Sequence, residues 1–403
     1  MVDLTKSEFE HDICIVGGCG HVGLPLGLAF ADKGKRVVLY DINKDSVDKV
    51  NKGEMPFLEN GAEELLKDVL KAKRLKATND ARVISESKAI VLVVGTPVDE
   101  HLNPKIEAII NAVKQIQDHF SDNQLLILRS TLYPGVTEKV HKYLWRNGIH
   151  MRVAFCPERI AEGHALTELY ELPQIVAGST EAASQEAKVL FHTLASKVII
   201  VDPLEAELAK LFTNTWRYIN FAISNQFYMI ANAHGLDFYK IFDTMTDDYP
   251  RLKNFSKAGL AAGPCLFKDA MQLATFSGNN FMLGHSAMLI NEGLPDFVVD
   301  AMLKKFDLEH RTVAIMGMAF KGNNDDPRES LSYKFWKRLK IEAGVVLCHD
   351  PYIKDSRFST MEEVKARADI IILAAPHTVY TEESWEGKDL VDIWNFYGNG
   401  GLV

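Results

Sequence analysis

The sequence predicts an α/β protein in three parts. These are a sheet domain over 1–202, a central helical region over 203–305 with a long connecting helix, and a smaller α/β domain over 306–403. Three observations carry this. Short β-branched runs alternate with helical patterns through the first 200 residues, a stretch from 203 to 235 carries no internal Gly or Pro, and strand–helix alternation then restarts.

The strand candidates of the first part are DICIVG (12–17), RVVLY (36–40), AIVLVVG (89–95), QLLILRS (124–130) and RVAF (152–155). Near-continuous apolar strands separated by helices indicate a parallel sheet covered on both faces. The stretch 203–235 is apolar on several faces and ends at Gly235. A helix that is apolar nearly all round is buried, here between domains or in a dimer interface, so a homodimer through 203–235 is expected. In the last part, RTVAIMGMAF (311–320), GVVLCHDP (344–351) and ADIIILAAP (368–376) have the character of buried strands.

Composition narrows the function classes. The 403 residues are 47% hydrophobic and 25% charged, as in ordinary globular proteins. A net charge of −9 argues against a nucleic-acid partner, which calls for a basic face. No apolar run reaches the ~18 residues of a membrane span, and the N-terminus lacks the pattern of a signal peptide. The five cysteines form no C-x-x-C pair. Neither a disulfide framework nor a metal site is expected, and a reducing cytoplasm is the predicted location. Cys14 and Cys348 fall in apolar runs and are expected to fill cores.

VGGCGHVGLPLGLAF carries Gly18-x-Gly20-x-x-Gly23. Alone the pattern is weak. Here it follows a strand, opens a helix, and is followed about twenty residues on by Asp41 at the end of VVLYD, which is the Rossmann fingerprint. The N-terminal domain is therefore expected to be Rossmann-like, and the C-terminal domain a smaller Rossmann-like echo. The backbone from Gly18 through His21, Val22 and Gly23 would approach a pyrophosphate at a helix N-terminus. Asp41 would accept from a ribose diol and repel a 2′-phosphate, which favours NAD over NADP. Thr96 and Pro97 in GTPVD, and Ser130 and Thr131 in RSTLYPG, would lie where strands end; ordinary turn chemistry explains each loop equally well.

Lys210 and Asn214 lie four apart on the long helix and share a face. Without context, a snorkelling Lys and a surface Asn would explain them. Cys265, in GLAAGPCLFKDAMQL, would by itself be a packed residue at a helix start.

The order of segments changes both readings. GGCGHVGLPL, GTP, RSTLYPGVTEKV, CPERIAEG, AELAKLFTNTWR, GPCLFKD and GMAFKGNNDDPRES together resemble the UDP-sugar 6-dehydrogenase family, which includes UDP-glucose and UDP-N-acetylhexosamine dehydrogenases. The resemblance covers nearly the whole chain. It implies NAD as cofactor and a UDP-sugar whose C6 hydroxyl is oxidised to a carboxylate through a cysteine thiohemiacetal and thioester. It also implies Cys265 as nucleophile, Lys210 and Asn214 on the reacting oxygen, and Asp269 and Glu158 at the hydrolytic water. Thr131 joins the catalytic set. Arg159, Arg251, Gly263, Lys268, Lys321 and Arg328 are implied as substrate contacts.

The chain departs from the family's G-x-G-x-G-G-x-C run, with Leu260 and Ala262 at glycine positions and Gly263 retained. The substrate clues divide. PERI resembles the N-acetylhexosamine branch (ManNAc or GlcNAc type), which is preferred here, whereas CLFKD resembles the UDP-glucose branch, the alternative. A two-electron hydroxyacid-type dehydrogenase would have no use for Cys265 or a third domain. A non-catalytic nucleotide-sugar binding protein would not need the thiol.

Overall fold

The β-branched runs of the first 200 residues become inner strands because each can bury both faces, whereas the run at 344–351 becomes an edge strand with Val345 exposed. The computed structural model describes residues 9–96, 98–99 and 104–403. The chain divides into two units, Met1–Phe212 and Thr213–Val403.

In the first unit the strands are β1 (His11–Val16), β2 (Val37–Tyr40), β3 (Leu75–Thr78), β4 (Ser87–Leu92), β5 (Leu125–Leu128), β6 (Arg152–Phe155), β7 (Gln174–Gly178) and β8 (Val198–Ile200). They form one eight-stranded sheet in the order β3-β2-β1-β4-β5-β6-β7-β8. The helices are α1 (Gly23–Asp32), α2 (Lys44–Asn51), α3 (Ala62–Lys71), α4 (Glu107–Ile116), α5 (Val136–Arg146), α6 (Ala165–Glu171) and α7 (Glu181–Phe191). The two-residue period of a strand explains the double cover. Ile13, Ile15, Leu39, Val91 and Ile127 pack into one core on one face. Cys14, Val16, Val38, Ile90 and Leu126 pack into another on the opposite face.

The sheet is not wholly parallel. β7 pairs antiparallel to β6, through Ala154 with Gly178 and Phe155 with Ala177. The chain returns to the sheet edge after the short α6 instead of making a full crossover, which an antiparallel neighbour permits. β3, β7, β8 and β12 (Asp389–Val391) lie outside the strand candidates of the sequence.

α8 (Pro203–Ala233) is the long helix. It stops where Gly235 takes φ +68° and Leu236 N–H reaches back to Ala231 O at 2.9 Å, as a glycine C-cap does. The second unit continues with α9 (Phe238–Thr246), α10 (Leu266–Phe276), α11 (Met282–Lys305), α12 (Ser332–Glu342) and α13 (Met361–Arg367). β9 (Thr312–Met316), β10 (Val345–His349), β11 (Ile370–Leu373) and β12 form a four-stranded parallel sheet ordered β10-β9-β11-β12. No helix among the described residues is long and apolar enough to cross a membrane.

Candidate active site

The strand order of the first sheet reverses at β1, with β2 on one side and β4 on the other. Ligands of such sheets bind beyond the carboxyl ends of strands at this reversal. The glycine turn lies there. A Cβ on Gly18 would sit 2.7 Å from Leu39 Cβ, and one on Gly23 only 2.4 Å from Gly17 O. Internal packing therefore requires both glycines. Gly20 is different, since the nearest atom to its added Cβ is Gly17 O at 3.8 Å. Its backbone stands clear, so a close-approaching ligand accounts for this glycine where packing does not. Val22 precedes α1 and makes no side-chain cap; Leu24 N–H donates to Gly20 O and Pro25 has no N–H, so Gly23 N–H is the first-turn donor that can face an anion. His21 lies against Phe57, ring centroids 4.1 Å apart. Asp41 Oδ2 accepts from Cys19 N–H at 2.9 Å and Oδ1 accepts from Asn43 N–H at 2.9 Å. This orients the carboxylate beside the glycine turn and leaves lone pairs for a ribose diol. The residues fit a dinucleotide.

The loops after β4 and β5 are tied together, Val94 N–H donating to Ser130 Oγ at 2.8 Å. Thr96 and Thr131 are half-buried beside this tie. Pro97 lies outside the described residues. Behind them Arg129 is fully buried. Its Nε donates to Glu158 Oε2 at 2.8 Å, Nη2 lies 2.6 Å from the same oxygen, and Nη1 donates to Cys156 O and Gln174 Oε1. Glu158 Oε1 accepts from the N–H groups of Arg159 and Ile160, at 2.7 and 3.0 Å. Three hydrogen bonds, from Arg129 Nε and the two backbone N–H groups, thus hold a carboxylate that has about four acceptor sites. Glu158 thereby also pins the 158–160 turn. Arg159 is half-buried and donates to Pro173 O.

The thiol group is built by α8 and α10. Cys265 is exposed at the N-cap of α10, and its carbonyl accepts from Asp269 N–H at 3.0 Å. Asp269 is fully buried. Asn214 Nδ2 donates to its Oδ2 at 2.6 Å, and Lys268 Nζ lies 3.4 Å from its Oδ1. The buried carboxylate is thus stabilised by an amide donor and an ammonium. Lys210 precedes Asn214 by one turn of α8 and is buried. Gly263 adopts φ +103°, and a Cβ there would lie 2.5 Å from the Phe320 ring. Leu260 packs into the unit's own core with Tyr228 and Val298, so this departure from the glycine run is absorbed away from the thiol.

Lys321 and Arg328 lie on the loop after β9. Arg328 Nε donates to both Asp326 oxygens, at 2.9 and 2.8 Å, and Lys321 Nζ lies 5.6 Å from the Phe320 ring centre. Arg251 is exposed and donates to Tyr249 OH at 3.1 Å.

With the geometry assembled, the comparisons are specific. Sequence models of the UDP-glucose/GDP-mannose dehydrogenase family match three consecutive segments. These are its NAD binding domain at residues 11–195, its central domain at 204–292 and its UDP binding domain at 314–399. The chain belongs to this family. It is an NAD-dependent UDP-sugar dehydrogenase. The UDP-N-acetyl-D-mannosamine dehydrogenase of Pyrococcus horikoshii is 30% identical over 386 residues, 93% of this chain and 92% of that one. The solved structure of UDP-D-ManNAc dehydrogenase from Pyrococcus horikoshii matches with a TM-score of 0.88 at 28% identity, over 96% of each chain. A UDP-glucose dehydrogenase structure from Pyrobaculum islandicum matches with a TM-score of 0.86 at 25% identity, over 96% of this chain and 95% of that one.

Two residues of the dehydrogenase escaped the sequence reading. Arg129 is one; its signal was a lone charge closing the apolar run LLIL. Glu207 is the other. It is buried on α8, one turn before Lys210, and accepts from Thr137 N–H and Oγ1 at 2.9 and 2.6 Å and from Gly135 N–H at 2.5 Å. Burial raises its pKa, against the pull of those donors. It caps α5 and fixes the loop that carries Thr131.

Proposed function

We propose that this chain oxidises the C6 hydroxyl of a UDP-sugar to a carboxylate in two two-electron steps, with a UDP-N-acetylhexosamine of the ManNAc or GlcNAc type as substrate. One observation carries the reading. An exposed thiol, Cys265, stands one helical turn before a fully buried carboxylate, Asp269, that Asn214 holds.

NAD, when bound, accepts a hydride in each step. Lys210 and Asn214 hold the reacting oxygen and stabilise its developing charge. The Cys265 thiolate attacks the first product, an aldehyde, forming a C–S bond and a thiohemiacetal. Removal of the second hydride leaves a thioester. Asp269 takes a proton from water, with Glu158 as a second carboxylate near that water; the water oxygen bonds to the carbonyl carbon, and the C–S bond breaks to return the thiolate. One alcohol and one water thus yield one carboxylate, two hydrides and three protons. Thr131 contributes its hydroxyl from the loop after β5. Gly18, Gly20, His21, Val22, Gly23, Asp41, Thr96, Pro97, Ser130 and Thr131 form the cofactor set. Arg159, Arg251, Gly263, Lys268, Lys321 and Arg328 form the sugar-nucleotide set. Functional boundaries at 1–202, 203–305 and 306–403 follow from this division of labour.

The names of the Pyrococcus horikoshii relative and structure support the N-acetylhexosamine choice. UDP-glucose remains the second reading, on CLFKD and the Pyrobaculum islandicum structure. A cytoplasmic location is supported by five free cysteines. A homodimer through α8 is part of the proposal.

The deciding measurement is NADH formed per UDP-sugar consumed, with UDP-glucose, UDP-GlcNAc, UDP-GalNAc and UDP-ManNAc supplied separately. Two NADH and a uronic acid are expected, fastest with an N-acetylhexosamine. One NADH with accumulating aldehyde would reject the thiol step, and binding without turnover would favour a non-catalytic binder.

A further inference from the structure

We infer that His377 is a positioning residue for the sugar-nucleotide loop, its buried imidazole holding the 317–323 turn, and with it Lys321, in a binding-ready shape. The inference rests on the proposed reading of Lys321 as a substrate contact.

The turn after β9 is pinned at both ends within the second unit. At its start, Asp350 Oδ2 accepts from Met318 N–H and Ala319 N–H at 2.7 and 3.0 Å, while Oδ1 accepts from Tyr352 N–H and Ile353 N–H at 2.9 and 3.0 Å. At its end, Asn323 N–H meets His377 Nδ1 at 2.9 Å. Asn323 has φ +54°, a left-handed conformation that Asn tolerates, and its Oδ1 accepts from Thr378 N–H and Oγ1 at 2.8 and 3.0 Å. Between the pins, a Cβ on Gly322 would lie 2.3 Å from Pro376 O, so the turn is seated against the 375–378 segment.

His377 joins the two pins. It is fully buried, and Nε2 lies 3.2 Å from Asp350 Oδ2. A backbone N–H can only donate, so Nδ1 must accept and the ring proton sits on Nε2, facing Asp350. Neutral imidazole is suited to this place because it accepts on one side and donates on the other. Lys321 and Phe320 lie between the pins, and the Phe320 ring closes on Gly263, two residues before Cys265. The turn that His377 holds therefore sets the shape of the loop that carries Lys321.

The test compares His377→Ala, His377→Asn, His377→Gln and Lys321→Ala by steady-state kinetics and by calorimetric titration with UDP. His377→Ala should weaken UDP binding and raise KM for the UDP-sugar by about tenfold, with kcat and KM for NAD within about threefold, as loss of one buried acceptor implies. His377→Asn, whose Oδ1 can stand in for Nδ1, should recover most of the affinity; His377→Gln, which keeps mainly the donor, should recover less. Parallel losses in kcat and both KM values would overturn the inference. So would unchanged UDP affinity in His377→Ala while Lys321→Ala loses it. If Lys321→Ala also binds UDP normally, the reading of Lys321 fails instead. Should His377→Ala not fold, His377→Asn and His377→Gln carry the test, with about threefold weaker UDP binding expected for His377→Gln; equal affinity in the two variants would overturn the inference.

Discussion

Burial pushes the thiols of Cys14, Cys156 and Cys348 up to about 12, and burial together with the Asp41 charge does the same to Cys19. At pH 8 such a thiol is ionised in only about one molecule in ten thousand. Cys265 alone of the five is exposed. Iodoacetamide should therefore label the native protein at one site per chain, Cys265, as read by peptide mass mapping, and a bound UDP-sugar should slow the labelling. Equal labelling of Cys19 or Cys156 would contradict this assignment of reactivity. At the same scale, Glu158 is held by the Arg129 guanidinium and by two backbone N–H groups. Arg129 and Glu158 are 29 residues apart, so no local pattern announces the pair.

At the scale of elements, the glycine turn and α1 separate folding from binding. A methyl on Gly23 would meet the backbone of Gly17 and Gly18, which cannot give way. Gly23→Ala should destabilise the protein by about 1–3 kcal/mol, measured by urea unfolding. Gly20→Ala meets no such contact and should leave stability within about 0.5 kcal/mol. It should instead weaken NADH binding by about tenfold, measured by fluorescence titration, because the methyl stands where a pyrophosphate would approach. The reverse pattern would mean that the turn's open side is not the cofactor side. The β-branched runs predicted the inner strands because continuous burial demands continuous apolar sequence. The edge strands β3 and β12 carry Lys76, Thr78 and Asp389, and their short mixed patterns gave no comparable signal.

At the scale of the whole molecule, α8 keeps an apolar stripe uncovered. Phe212, Trp216, Ile223, Phe227 and Ile230 are exposed. At about 100° per residue they fall within about 60° of one another around the helix axis. A second copy of the same helix, related by a two-fold axis, would cover the stripe with itself. Each large apolar side chain buried in this way contributes about 1.5–3 kcal/mol. Sedimentation velocity should find a dimer, and Trp216→Glu with Phe227→Glu should shift it to a folded monomer. A wild-type monomer at micromolar concentration would remove this part of the proposal.

The sequence by itself determined the α/β class, the long helix and the dinucleotide turn, because each is written in local periodicity or in glycines that a tight turn requires. The ordered segments also carried the family resemblance, through residue types that one chemistry needs together. Only the tertiary structure decided which groups are available and which are occupied. It buried Asp269 against Asn214, 55 residues away, and paired Glu158 with Arg129. It sent Leu260 into the core and set His377 between Asp350 and Asn323. Hydrogen-bond partners and burial depend on distances across the fold, and adjacency along the chain does not encode them.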